Sequence, residues 1–370
     1  MKSNFIKRNS LIRVVESALV SLAAPINLRF MWNFGSLLIV CLLVQFITGI
    51  LLAGFYTVNM PIRFFSLIQF IEEIFNGWFI RYVHANGASF FFFCLYIHIG
   101  RGLYYSSYML KNTWISGVSI FILTIATAFL GYVLPLNQIS FWGTSVITNL
   151  FSEVPVIGKD LVKVLWSGIS VLEVTVSKFF RLHFLLPFVL VFLVFLHIIF
   201  LHEKGSSNPI GLNSYSAKLI FDPYFRKKDV FGFLFYLFIF IFICIYKPLI
   251  LGDDDNFSVA NPSVTPIHIQ PEWYFLFAYA ILRSIPRKLG GVIALLFSVL
   301  IFYSLSLTYL SNKKIIYFPF SQVLYWLFIN NVVILTWIGA RRVEYPYILI
   351  GQIFTIGYFV FYIIFPISFK

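Results

Sequence analysis

Charge is what this chain has least of. Only 11% of its 370 residues are Asp, Glu, Lys or Arg, and its mean hydropathy is +0.90. A soluble domain of that size could not hide so much apolar surface, so the shortage excludes one. Cysteine is scarcer still. Cys41, Cys94 and Cys244 stand singly in apolar runs, with neither C-x-x-C nor C-x-x-C-H spacing, which leaves disulfide bridges and covalent cofactor attachment unsupported. Residues 1–31 carry scattered Lys and Arg but no small-residue cleavage site behind a short apolar core. That segment does not resemble a signal peptide, and an interfacial helix is expected there. No basic run is interleaved with aromatics, so nothing points to nucleic acid.

What the chain has instead is length in apolar runs. Eight segments can cross a bilayer as helices, near 32–54, 78–103, 114–133, 179–201, 230–250, 290–309, 320–340 and 346–367. The expected fold is an all-α integral membrane protein with eight transmembrane helices. It divides into the N-terminal segment 1–31, a four-helix bundle within 32–210 and a C-terminal membrane domain over 211–370. Eight crossings put both termini on one face. That face, with the loops near 104–113, 202–229 and 310–319 and with Arg101 assigned to it, holds 15 Lys+Arg against four acids, while the other holds 12 against 10. Basic residues are retained on the side of insertion, so the termini are expected on the inner side. The same basic surplus suits anchoring on a lipid bilayer.

Four of the six histidines form two pairs with one spacing, His84 with His98 and His183 with His197. Fourteen residues make about 3.9 helical turns, so each pair shares a helix face at heights roughly 21 Å apart. One intervening crossing makes the second and fourth spans parallel, which sets His84 opposite His183 and His98 opposite His197. Buried imidazole needs a partner, and a haem iron taking one histidine from each helix supplies it. Two stacked, non-covalent haems inside the first four spans follow as the expectation. Gly35 and Gly49 on the first span, and Gly117 and Gly131 on the third, repeat the interval of fourteen. Glycine lets a flat macrocycle approach the backbone, although ordinary small-residue helix packing explains any single one of them. Arg81 and Arg101 stand three residues beyond the histidines of the second span, where a guanidinium could pair with a haem propionate or simply snorkel to the interface. Trp32 and Trp114 are either further polar contacts or interface-belt residues.

Two loop regions could handle protons. On the outer face, 251–288 contains Pro271-Glu272-Trp273-Tyr274. A carboxylate beside aromatics on a proline-fixed backbone could accept a quinol proton, with Tyr279 and Tyr132 lining the pocket. Glu272 capping an interfacial helix is equally compatible with the residues. On the inner face, His202 follows the fourth span and Asp229 precedes the fifth, where they could deliver protons to a quinone or form an ordinary solvated loop.

The His-x13-His pairs, the glycine quartet, Gly131-Tyr132-Val133-Leu134-Pro135, Phe141-Trp142-Gly143 and Pro271-Glu272-Trp273-Tyr274 together resemble mitochondrial cytochrome b, the animal type in particular. The resemblance covers nearly the whole chain. It implies the di-haem subunit of the cytochrome bc complex, respiratory complex III, in the mitochondrial inner membrane with both termini on the matrix side. It further implies a low-potential haem between His84 and His183 and a high-potential one between His98 and His197. Ubiquinol oxidation is implied near Gly143 and Glu272, and quinone reduction near Ser36, His202, Ser206 and Asp229. The implied partners are a Rieske-type iron–sulfur protein, a membrane-anchored c-type cytochrome, other subunits of the complex and a second copy of the chain. Departures from the family pattern are Leu136-Asn137 where Trp-Gly is usual, Thr144 for a common Ala, Asp222 for a usual His, and Asp254, Arg287 and Arg342. Leu136-Asn137 borders the implied oxidation pocket. Two other classes are open to such a chain. A haem-free transporter would use the histidines as a proton relay, and a two-haem dehydrogenase anchor would lack the Pro-Glu-Trp-Tyr loop.

Overall fold

The computed structural model describes residues 16, 20–57, 62–211, 214–307 and 314–368. Its spanning helices, in chain order, begin with α1 (Asn33–Ala53). A short α2 (Ile62–Glu73) leads to α3 (Gly77–Tyr104), and α4 (Lys111–Val133) returns. Two short helices, α5 (Gln138–Asn149) and α6 (Gly158–Trp166), then precede α7 (Glu173–Lys204) and α8 (Tyr224–Tyr246). The C-terminal part comprises α9 (Leu276–Ser284), α10 (Lys288–Leu300) continued by α11 (Ser304–Leu307), α12 (Pro319–Gly339) and α13 (Tyr347–Ile367).

Each of the eight expected spans is met by a helix. Among the described residues, seven helices are long and apolar enough to cross a membrane by composition, and α3 is the one left out. Its 28 residues reach ~42 Å, ample for a bilayer, but Arg81, His84, Asn86, His98 and Arg101 lower its hydropathy. The helix that carries two candidate ligands and two candidate counter-cations is polar for that reason.

The first four spans pack in two pairs, α1 on α3 and α4 on α7, with α1 also touching α7. α8 leans on α3 and α1, while α9, α12 and α13 form the centre of the C-terminal part. One core joins both halves, with Phe92, Phe121, Phe277, Phe302 and Tyr358 in a single cluster. Phe92 stacks on Tyr274 at 4.2 Å between centroids, tying the Pro-Glu-Trp-Tyr segment directly to α3. α7 ends at Gly205, whose φ of +79° lies in the left-handed region that stops helices cheaply.

One feature has no signal in the sequence. β1 (Ala23–Pro25) and β2 (Lys218–Ile220) pair antiparallel, Ala24 opposite Leu219, pinning the approach to α1 onto the approach to α8. The interfacial helix expected over 1–31 lies largely outside the described residues. Trp114 is no interface-belt residue: it is 8% exposed and donates to the Phe302 carbonyl at 2.8 Å, linking α4 to the C-terminal half.

Candidate redox site

The four histidines meet in the predicted pairs. The His84 and His183 rings lie 6.3 Å apart between centroids, and those of His98 and His197 lie 6.4 Å apart. An imidazole–metal bond of about 2.0–2.1 Å places two rings on opposite sides of one ion about 6.3 Å apart. The spacing therefore fits a metal that would be held between α3 and α7 at each of two levels, the parallel arrangement pairing first with first and second with second.

The ring nitrogens are prepared for this. The Nδ1–H of His183 donates to the Thr127 carbonyl at 2.8 Å, which can only accept. His84 Nδ1 meets the Thr48 hydroxyl at 2.8 Å, and that hydroxyl already donates to the Val44 carbonyl at 2.6 Å. His197 Nδ1 meets the Ser116 hydroxyl at 2.9 Å, itself donating to the Thr113 carbonyl at 2.9 Å. In all three the hydroxyl or carbonyl must accept, so the proton sits on Nδ1 and the Nε2 lone pair is left for a metal.

Each glycine of the quartet faces one of these rings rather than open space. A β-carbon on Gly49 would lie 3.1 Å from His84 Cε1, on Gly117 3.1 Å from His197 Cε1, and on Gly35 3.3 Å from His98 Cε1. On Gly131 it would collide with His183. The glycines thus make room for the histidine imidazoles themselves. Counter-charge is at hand. Arg101 has a buried Nε with no partner among the described residues, and its guanidinium lies 5.7 Å from the Trp32 ring. Gln45 has a buried Oε1, with no partner among the described residues, beside Gly87.

A cavity of 320 Å³ opens at the His84 end, lined by Gly49, Arg81, His84, Gly131, His183 and Glu272. A second, of 30 Å³, is walled by Tyr132, Gly143, Pro271, Glu272 and Tyr279. Glu272 and Tyr132 belong to both, so they form the partition between the histidine pair and the smaller space. The second cavity holds about one water, and a quinone ring would have to push it open. Burial raises the Glu272 carboxyl to about 7, with the nearby Asp253 charge adding and Arg81 opposing. The Tyr279 hydroxyl donates to the Ile269 carbonyl at 3.2 Å, and the Arg283 guanidinium covers its ring at 4.5 Å.

At the other end, Ser36 and Asp229 are neighbours, the Ser36 hydroxyl donating to the Asn33 carbonyl at 3.0 Å. His202 occupies the last turn of α7 and Ser206 the segment just beyond it. No hydrogen bond among the described residues joins either of them to the Ser36–Asp229 pair.

Several site residues escaped the sequence reading. Thr48, Ser116 and Thr127 brace the rings, and a signal for two of them was present: Thr48 and Ser116 each directly precede a quartet glycine. Asn256 accepts from Asn137 Nδ2 at 3.0 Å and lies 3.5 Å from the Tyr132 hydroxyl, a grouping no spacing reveals.

Helices, paired rings and braced tautomers define a multi-pass all-α membrane protein with two facing histidine pairs stacked inside its bundle. Residues 19–205 match the family model Cytochrome b/b6/petB, and residues 259–359 match Cytochrome b(C-terminal)/b6/petD. A chain of a solved structure described as "Hyperthermophilic respiratory Complex III" is similar at 30% identity and a TM-score of 0.92, over 99% of this chain and 98% of that one. The chain belongs to the cytochrome b family. Its function is that of the cytochrome b subunit of a bc complex, in electron transfer.

Proposed function

We propose that this chain oxidises ubiquinol at the His84 end of the bundle and reduces quinone at the His98 end, as the redox subunit of a mitochondrial ubiquinol–cytochrome c reductase. The observation that carries the reading is the pair of facing imidazole couples, 6.3 and 6.4 Å between centroids, stacked along two parallel helices. His84 with His183, and His98 with His197, would each hold one non-covalent b-type haem, and Arg81 and Arg101 would meet the propionates. Bound there, the two haems supply one-electron carriers at two depths of the membrane.

The residues around them handle quinone and protons. A quinol losing two electrons also loses two protons. Glu272, poised to titrate near neutrality, is placed to accept one of these from the cavity it shares with Tyr132, Gly143 and Tyr279. Ser36 and Asp229 would orient and protonate a quinone at the opposite end, with His202 and Ser206 as further contacts. Moving one charge against the membrane potential costs about 2.3 kcal/mol per 100 mV, which quinol oxidation supplies. The division into a di-haem bundle within 32–210 and a C-terminal membrane domain over 211–370 follows this assignment. The partners it requires are a Rieske-type protein to take one electron at the outer cavity, a membrane-anchored c-type cytochrome beyond it, and the other complex III subunits, in a homodimeric complex in the inner membrane. Both termini would face the matrix.

The reduced-minus-oxidised visible spectrum of the purified complex tests this, alone and in His98→Ala and His183→Ala. Two b components are expected, each variant losing a different one. Absence of a b-type band, or loss of one common component in both variants, would overturn the reading.

A further inference from the structure

Three of the four candidate ligand rings are braced through Nδ1, and the fourth is not. His98 Nδ1 is buried and has no hydrogen-bond partner among the described residues. The ring is nevertheless seated as its counterparts are. A β-carbon on Gly35, Gly49 or Gly117 would lie 3.3, 3.1 or 3.1 Å from the facing Cε1 and 3.6, 3.8 or 3.5 Å from the facing Nδ1. The three rings therefore share one pose over their glycines.

What differs is the residue directly before the glycine. Thr48 precedes Gly49 and Ser116 precedes Gly117, and both hydroxyls reach Nδ1 at 2.8 and 2.9 Å. Phe34 precedes Gly35, and a phenyl ring cannot accept that bond. The hydroxyl-glycine pair is thus a small repeated device: the glycine admits the ring edge, and the hydroxyl one position earlier on the same helix fixes its tautomer. At α1's first glycine only half of the device is present.

Resting on the haem reading above, we propose that His98 is the one ligand held by packing alone, so that the His98/His197 site releases its haem first, and that position 34 is where the missing brace belongs. A partner on the non-ligating nitrogen orients the imidazole and raises its basicity, and losing such a partner typically weakens metal binding about 10- to 100-fold. Thr48 supplies this at the His84/His183 site. Ser116 supplies it to only one of the two ligands at the other.

The test uses the whole purified complex carrying Phe34→Ser or Thr48→Val. Haem loss is followed during exposure to excess apomyoglobin as acceptor, the two b components being resolved by potentiometric titration of the visible band. In the wild type one component should leave about tenfold faster than the other. Phe34→Ser should slow that component and lower its midpoint, since a more basic ligand favours the oxidised ion. Thr48→Val should speed loss of the other component by a similar factor. Equal loss of both components in the wild type, or two components that neither variant moves, would overturn the proposal. Should Phe34→Ser fail to assemble, Thr48→Val decides alone, and an unchanged rate there removes the brace as an explanation. Absence of any b band is a different result, which removes the functional reading itself.

Discussion

Gly131 lies so close to His183 that a β-carbon on it would stand 2.9 Å from each ring nitrogen. No side chain, not even a methyl, fits between α4 and that imidazole while the ring keeps its bond to the Thr127 carbonyl. The contacts at the other three glycines are looser, between 3.1 and 3.3 Å from the nearest ring atom.

A graded series follows from this. Gly131→Ala must push the His183 ring off its axis, at an overpacking cost of about 1–3 kcal/mol, which is roughly 5- to 150-fold in affinity. It should strip one b component from the purified complex. Gly49→Ala and Gly117→Ala should each weaken one component, and Gly35→Ala should be the mildest. Haem content per complex from the visible spectrum checks the order. A Gly35→Ala loss exceeding that of Gly131→Ala would contradict it.

On the proposed function, Glu272 should set the pH dependence of quinol oxidation. An acid raised to about 7 is protonated below that pH and ionised above it, and only the ionised form accepts a proton. Turnover at saturating quinol should therefore climb as pH rises toward 7, close to tenfold per unit on the acid side, and flatten above it. Asp253→Asn removes one of the causes of the shift and should move the limb to lower pH. Glu272→Gln should abolish it. A pH–rate profile with the same limb in Glu272→Gln would assign proton acceptance to another group.

The spans and the pairing of the histidine rings could be read from the chain because both depend on one-dimensional regularities. Apolar run length locates helices such as Tyr347–Ile367 within a residue or two, and a shared fourteen-residue interval forces the order of the rings. Contacts between distant segments left no such mark. Trp114 resembles an interface tryptophan until Phe302, 188 residues on, supplies its acceptor. Asn137 is a departure from the family pattern without an apparent role until the loop beyond α8 folds over it. The ring braces fall between these cases: Thr48 and Ser116 are adjacent to quartet glycines, whereas the Thr127 carbonyl is a backbone group that no residue type announces.

Asn137, in the wall of the 320 Å³ cavity, ties that wall to the loop that leads to Glu272. It is 3% exposed, accepts from the Ser140 backbone N–H at 2.8 Å as the cap of α5, and donates to Asn256 at 3.0 Å. Its neighbour Gln138 bonds the same loop twice, to the Asn261 N–H at 2.7 Å and the Val264 carbonyl at 2.6 Å. Asn137→Ala gives up the cap, at about 0.5–2 kcal/mol, and the link to the loop that leads to Glu272. The expected result is a several-fold rise in KM for quinol with kcat nearly kept, because wall geometry is loosened while the proton acceptor stays. Gln138→Ala, severing two bonds, should raise KM further. Steady-state kinetics of the complex check both, and an unchanged KM in both variants would remove the loop contacts from substrate positioning.

Arg101 should act on one centre only. Its Nε is buried without a partner among the described residues, and its guanidinium lies against Trp32, at the His98 end of α3. A cation so placed gains from an arriving carboxylate, a charge-assisted bond worth about 1.5–3 kcal/mol, and its planar fork suits two oxygens at once. Arg101→Gln should therefore lower haem retention at the His98/His197 site and shift that midpoint downward, since removing a positive charge disfavours the added electron. Arg101→Lys keeps the charge without the fork and should recover most of the midpoint but less of the retention. Trp32→Leu, which removes only the ring beneath the guanidinium, should do less than either. Potentiometric titration together with haem quantitation separates the cases: a shift of both b components, or of the component that His183→Ala removes, would mean that Arg101 does not serve the His98 centre.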